Sequence, residues 1–203
     1  MVAEFSLEAI NRKGSVFDER KLEWLNGLYI NDTPAAALIA SIRPRLESEG
    51  LWEAALGEGG SRHAWFQDVV GVLKPRSRLL TDLVRDARPF LTEEFEYQPE
   101  AVAKHLTGTA RDGGAAAIAA RMRALRRRLA DVAPFTEEKA EEALRGLAAS
   151  RGEPAALFIH PLRVALVGRA VSPGVFTILA LAGRERALAR LDRLVSFLSA
   201  RAS

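Results

Sequence analysis

Pro161-Leu162-Arg163-Val164-Ala165-Leu166-Val167-Gly168-Arg169-Ala170-Val171-Ser172-Pro173-Gly174-Val175-Phe176 is the stretch whose reading decides the fold. Its first half is an apolar run broken by Arg163 and closed by Gly168-Arg169. Gly168 and the Ser172-Pro173-Gly174 cluster punctuate the backbone, because glycine admits positive φ and proline fixes φ. After the break, Val175, Ile178, Leu179 and Ala182 recur at helical spacing. Gly183 then marks a helix stop or turn. A last helix is expected to bury Leu188, Leu191, Val195 and Leu198 and to carry Arg184, Arg186, Arg190 and Arg193 outside.

Upstream, the same period repeats. Asp18 is an expected N-cap for a helix with Leu22, Leu25 and Tyr29 on one side and Trp24 and Leu28 as a second pair; both aromatics are assigned to the core. Thr33-Pro34 reads as a cap with proline at the first helical position. It opens a stripe of Ala35, Leu38, Ile39, Ile42 and Leu46 that Pro44 should end or kink. Gly57, Gly59 and Gly60 force a loop, and Trp65, Val69, Val72 and Leu73 form a short helix. Ser77 or Thr81 is the expected cap of a helix holding Leu80, Leu83, Val84 and Ala87. Gln98-Pro99-Glu100 starts another, followed by a loop over 107–114. A long helix then places Ile118, Met122, Leu125 and Leu129 on one face, with Arg123 and Arg127 pointing away. Thr136 caps a helix with Ala140, Leu144, Leu147 and Ala148 on its buried face. No segment alternates with period two, and no fixed-period repeat is present. The expected fold is all-α, or nearly so. Composition breaks near Pro75 and Arg151 divide it into subdomains 1–75, 76–150 and 151–203.

The 203 residues contain no cysteine, which excludes a disulfide framework or a cysteine zinc site and suits the cytoplasm. Glu4 and Glu8 come too early for a secretory leader, and the low-charge run 170–183 is too short to span a bilayer, so no membrane partner is expected. Net charge is only +3, so its distribution matters more than its total. From Arg163 onward there are seven arginines against two acids, and residues 121–128 hold five arginines and no acid. Acids gather instead at 93–100 and 137–142. The asymmetry suits a polyanion on one face; the alternative is a solvated arginine-rich surface.

The stretch quoted above resembles the C-terminal end of the bacterial-type glutamyl-tRNA synthetases, through Pro161-Leu162-Arg163-Val164-Ala165-Leu166, Gly168, Ser172-Pro173, Phe176 and Gly183-Arg184-Glu185-Arg186. A second match lies at Phe17-Asp18-Glu19-Arg20-Lys21-Leu22-Glu23-Trp24-Leu25-Asn26-Gly27-Leu28-Tyr29-Ile30. The resemblance implies an all-α superhelical array of short helices, with a stem-contact-type subdomain followed by two helical anticodon-binding subdomains. It implies tRNA as partner, with an upstream catalytic domain that would use ATP and Mg. The chain would begin about where that family's nucleotide-binding fold ends, and would not activate glutamate alone. Val167 stands where threonine is common and His160 where glutamine is frequent, which leaves open which anticodon base is read and whether glutamine tRNA is also a substrate.

Catalytic motifs are missing from the chain. His63, His105 and His160 are far apart in sequence and have no H-x-x-x-H or H-x-G-H partner, so no metal site is expected. The five lysines lie outside any K-M-S-K-S-type loop, and Gly57–Gly60 lacks the G-K-[ST] of a phosphate-cradling loop. Acid pairs such as Glu93-Glu94 read as solvated helix ends. What remains is RNA binding, for which arginine is suited because its planar fork pairs with phosphate or base edges and stacks on unpaired bases. Lys74, Arg76, Arg78, Arg123 and Arg127 are the expected phosphate contacts, and Arg12 and Lys13 are further expected tRNA-binding residues. Arg163 and Arg169 are expected near anticodon bases, with Arg184 and Arg186 facing RNA or solvent. Flanked by Leu162 and Val164, Arg163 reads equally as an internal ion pair or a carbonyl cap. The alternative function is a helical scaffold for acidic protein partners, or a free-standing tRNA-binding paralogue.

Overall fold

The computed structural model describes residues 18–107 and 113–202, and over them the chain is all-α, with no strand. Ten α-helices follow in order: α1 Glu19–Asp32, α2 Ala35–Ser48, α3 His63–Leu73, α4 Leu80–Leu91, α5 Pro99–His105, α6 Gly114–Ala130, α7 Glu137–Ser150, α8 Ala156–Val167, α9 Val175–Ala182 and α10 Arg184–Ala202. Short 3-10 turns at Ala54–Leu56 and Lys74–Arg76 complete the described elements.

Local chemistry starts the helices much as the sequence leads one to expect. The Asp18 carboxylate accepts from the Lys21 N–H at 3.2 Å and the Thr136 hydroxyl from the Lys139 N–H at 3.3 Å, each satisfying an orphan donor of a first turn. Two caps differ. Thr33 turns back and donates to the Tyr29 carbonyl at 2.7 Å, so it closes α1 rather than opening α2. At α4 the Asp82 carboxylate reaches back to the Arg78 and Leu79 N–H groups, both at 3.0 Å, while Ser77 donates to Leu73 O instead.

Three prolines, Pro44, Pro89 and Pro161, sit inside helices α2, α4 and α8, and none ends its helix. A helical proline leaves the carbonyl four residues earlier without its donor. For Pro89 that carbonyl is Arg85 O, and the Arg169 Nη2 supplies the missing N–H at 3.0 Å.

The core is one continuous cluster running from Ile30 to Leu198. Its centre is the pairing of α6 with α10; Arg123 meets Ser199 and Arg126 meets Asp192, so the two run antiparallel. The α6 face of Ile118, Met122, Leu125 and Leu129 is buried as its spacing predicts. Helix α8 lies across α6 and α10 and also touches α5 and α9, α7 packs on α9, and α2 packs on α3 and α4. In α3 the buried residues are Phe66, Val69, Val70 and Leu73; Trp65 is only half-buried and donates its indole N–H to Leu181 O at 2.9 Å.

Two expectations are overturned. On α1 the apolar residues are outside: Leu22, Trp24, Leu25, Leu28 and Tyr29 are 42–66% exposed, and Ile30 alone is buried. The helix is held by the 74–78 turn, through Asn26 Nδ2 to Arg78 O and Lys74 Nζ to Thr33 O. On α10 the buried face is Ala187, Leu191, Leu194 and Leu198, and Arg190, expected outside, is 1% exposed.

Candidate nucleic-acid interface

The quoted stretch forms α8, a turn and the start of α9. Gly168 ends α8 with φ 73°, and its carbonyl accepts from the Gln98 N–H at 2.8 Å. A Cβ here would sit 2.3 Å from Glu96 O, so the position requires glycine for space as well as for φ. The close approach brings the segment ahead of α5 against the end of α8 and closes one wall of a cleft of about 520 Å³. Arg76, Phe90, Gln98, Arg169, Ser172 and Pro173 are among its lining. That volume lies within the range of small-ligand pockets.

Arg163 stands beside this cleft. Its Nε donates to Ser172 Oγ at 3.0 Å, and the Ser172 hydroxyl donates onward to Pro173 O at 2.9 Å, tying α8 to the turn. Among the described residues no carboxylate lies within ion-pairing distance of Arg163. Burial, with the like charge of Arg76 second, holds its guanidinium below the ordinary arginine pKa. An arginine partly withdrawn from water, facing another arginine and no acid, is a site that an anion would stabilise.

The remaining expected contacts divide sharply. Arg76 and Arg78 are exposed on the 74–78 turn, and neither forms an ion pair among the described residues. Arg127 is exposed on α6; Arg123 is exposed beside it, with its Nη2 on Ser199 Oγ at 3.2 Å, and neither lines the cleft. Lys74 is half-buried and occupied by Thr33 O at 3.1 Å. Arg12 and Lys13 lie outside the described residues.

Arg169, Arg184 and Arg186, expected to face RNA or solvent, are instead turned inward. Arg169 pairs with Asp86 and donates to Arg85 O. Arg184 donates to Val132 O. Arg186 donates to Phe90 O at 2.6 Å and pairs with Glu93 at 2.7 Å. Arg190 joins them, bonding Leu166 O at 2.7 Å, the Glu93 carboxylate and Pro89 O. Two of these acceptors, Pro89 O and Phe90 O, are among the last carbonyls of α4, which have no intrahelical donor. Arg186 and Arg190 of α10 therefore cap another helix.

Sequence reasoning missed a grouping on the other side of Arg163. His105 and His160, distant in sequence, stack with ring centroids 4.6 Å apart and planes 12° from parallel. Lys104 is exposed beside them. Burial is the first cause that holds both imidazoles below the usual histidine pKa; after it come the charges of His160, Lys104 and Arg163 for His105, and of Arg163 and Lys104 for His160. The i, i+3 spacing of His160 and Arg163 on one helix was the readable half of this signal; the approach of α5 was not. Among the described residues no group of three or more His, Cys, Asp or Glu side chains is placed to hold a metal, and no helix is long and apolar enough to cross a membrane.

Comparison with known proteins is consistent across sequence and structure. The family model described as an anticodon binding domain matches residues 37–195. A glutamate–tRNA ligase of Desulforudis audaxviator is 35% identical over 200 residues, 98% of this chain and 38% of the ligase. The glutamate–tRNA ligase of Thermus thermophilus is 33% identical over 197 residues, again covering 38% of its length. Among solved structures, a glutamate tRNA ligase from Elizabethkingia meningosepticum superposes with a TM-score of 0.77 at 20% identity, over 97% of this chain and 36% of that one, and supports the fold. The chain thus spans about two fifths of the length of these relatives, corresponding to their C-terminal part. With the family model covering most of its helices, the chain belongs to the anticodon-binding domain family.

Proposed function

We propose that this chain binds the anticodon loop of a tRNA and serves as the anticodon-recognising part of a glutamate–tRNA ligase. The observation that carries the reading is Arg163, a half-buried guanidinium with no carboxylate partner among the described residues, set beside a cleft that the Ser172-Pro173 turn and Arg76 help to line. An anticodon loop is single-stranded, so a base can be splayed into such a cleft and read along its edge, while arginines on the rim hold phosphates. Arg163 is the expected base or phosphate contact at the cleft. Arg76 and Arg78 extend the cationic path along the turn, and Arg123 and Arg127 offer a separate phosphate-binding row. Arg169, Arg184 and Arg186 hold the walls in place, and their loss would act on RNA through the fold.

ATP and Mg chemistry belongs, in this reading, to an upstream catalytic portion. The residues described here do not fit either group: there is no cluster of acids for a metal, and the Gly57–Gly60 turn lacks the lysine and hydroxyl of a phosphate loop. The exposed apolar face of α1 is the surface that would meet that portion, because this chain covers 38% of the Desulforudis ligase, corresponding to its C-terminal part, and α1 is the first described helix. A cytoplasmic location follows from the same role.

The test is a fluorescence titration with a glutamate-tRNA anticodon stem-loop and with the same stem carrying a changed loop. The native loop should bind more tightly. Arg163→Ala should weaken it by roughly 1–3 kcal/mol and narrow the difference between loops. Equal affinity for both loops would favour a scaffold with general polyanion affinity.

A further inference from the structure

Behind Arg163, α5, α6 and α8 enclose a second cavity of about 230 Å³, lined by Lys104, His105, Thr107, Arg121, His160 and apolar neighbours. Its charged groups come from every wall. Helix α5 supplies Lys104 and His105 at its C-terminal end, α8 supplies His160, with Arg163 one turn on, and α6 supplies Arg121. Arg121 is bound by Glu153, its Nε 2.9 Å from the carboxylate. The others have no carboxylate within ion-pairing distance among the described residues, and the Nδ1 of His160 is buried without a hydrogen-bond partner. Two stacked imidazoles, an ammonium and a nearby guanidinium thus converge on a cavity where, among the described residues, none of the four has a carboxylate partner.

We propose that this cavity is a phosphate subsite whose affinity is set by protonation of the His105–His160 pair. The inference rests on the anticodon-loop reading above for its natural ligand, a backbone phosphate of the RNA whose base enters the Arg163 cleft; the same oxyanion chemistry would admit inorganic phosphate. The physical logic is charge compensation. In the empty cavity, burial and the neighbouring cations disfavour the imidazolium form. A phosphate oxyanion reverses that balance, so the histidines are easier to protonate when it is bound, and binding takes up a proton. Affinity therefore rises as pH falls through the histidine range, by up to about tenfold per pH unit for one proton taken up. Lys104 adds positive charge beside the pair, and so sets the level of binding while the imidazoles set its slope.

Two measurements on the 203-residue chain decide this. In the first, stem-loop affinity is measured from pH 8 to pH 5.5 for the wild type, for H105N/H160N and for Lys104→Gln. The wild type should tighten on acidification, the double variant should lose that slope while still binding, and Lys104→Gln should bind more weakly at every pH with the slope kept. In the second, the histidine C2–H signals are titrated by NMR with and without inorganic phosphate. The pKa values of His105 and His160 should rise with phosphate, while His63, whose Nδ1 lies 2.9 Å from Leu56 O at a distant site, should not move. A pH-independent wild type, or a slope kept by the double variant, overturns the subsite while leaving the anticodon reading intact. Failure of the stem-loop to bind at all overturns the anticodon reading, and the phosphate titration then decides the cavity by itself: equal shifts of all three histidines, or none, would sink it.

Discussion

Helices α1 and α10 invert each other. Both read from sequence as ordinary amphipathic helices, one with an aromatic-rich buried side and one with an arginine-rich wet side. In the folded chain α1 leaves Trp24 and Tyr29 56% and 66% exposed, whereas α10 draws Arg190 down to 1%. The contrast teaches that helical spacing defines a face, and neighbours decide what the face does. Among the described residues, helix α1 touches little beyond the 74–78 turn. Helix α10 crosses the C-terminal end of α4, where carbonyls without intrahelical donors accept from the planar, multi-donor group that arginine offers.

The comparison breaks most visibly at Arg190. Arg190→Ala would strand the carbonyls of Pro89 and Leu166 and remove one of the two arginine partners of Glu93, and a loss of about 3 kcal/mol is expected in urea denaturation. Glu93→Gln, at a side chain 54% exposed, should cost far less. If the two cost the same, the ion pair rather than the carbonyls is what Arg190 contributes. Gly168→Ala comes next. Left-handed backbone and a contact with Glu96 O together should cost about 2 kcal/mol, read from the same experiment, and RNA affinity should fall with it because one wall of the cleft shifts.

Much of the helical core was legible beforehand, because Leu38, Ile39, Ile42 and Leu46, or Ala140, Leu144 and Ala148, satisfy a 3.6-residue period that only one burial pattern can meet. Helix interiors containing Pro44, Pro89 and Pro161 were harder. A proline removes one N–H, and whether the freed carbonyl finds water or another donor depends on what packs nearby. The candidate site was half legible. Gly168, Ser172-Pro173 and Arg163 mark it locally, but the separation of Arg163 and Arg76 from Arg169, Arg184 and Arg186 follows from where Asp86, Glu93 and the end of α4 fall in space. The stacking of His105 on His160 is tertiary in the same way.

Smaller effects sharpen the other half of the contrast. Trp24→Ala and Leu28→Ser should change the stability of this chain by no more than about 0.5 kcal/mol, because neither side chain is buried. Added to a separately produced N-terminal portion of the Desulforudis ligase, the same variants should lose whatever association the wild-type chain displays in a sedimentation assay; unchanged association would remove α1 from the contact. The smallest effect is on pH. His105 and His160 have folded pKa values below their unfolded ones, so their contribution to stability is complete above the unfolded histidine pKa, near 6.5, and is lost as pH falls through the folded values. Thermal midpoints should therefore drop modestly between pH 8 and pH 5.5, and phosphate should recover part of the drop.

The bond from Gln98 to Gly168 carries a consequence for swapping parts between relatives. Because the residue at 168 has no room beyond its hydrogens where Glu96 passes, strands of chain seventy residues apart are cut to one another's outline. A chimera that imports only the 161–176 segment, or only the 92–98 segment, inherits a mismatched seam. Specificity in this region should transfer between homologues when both pieces travel together.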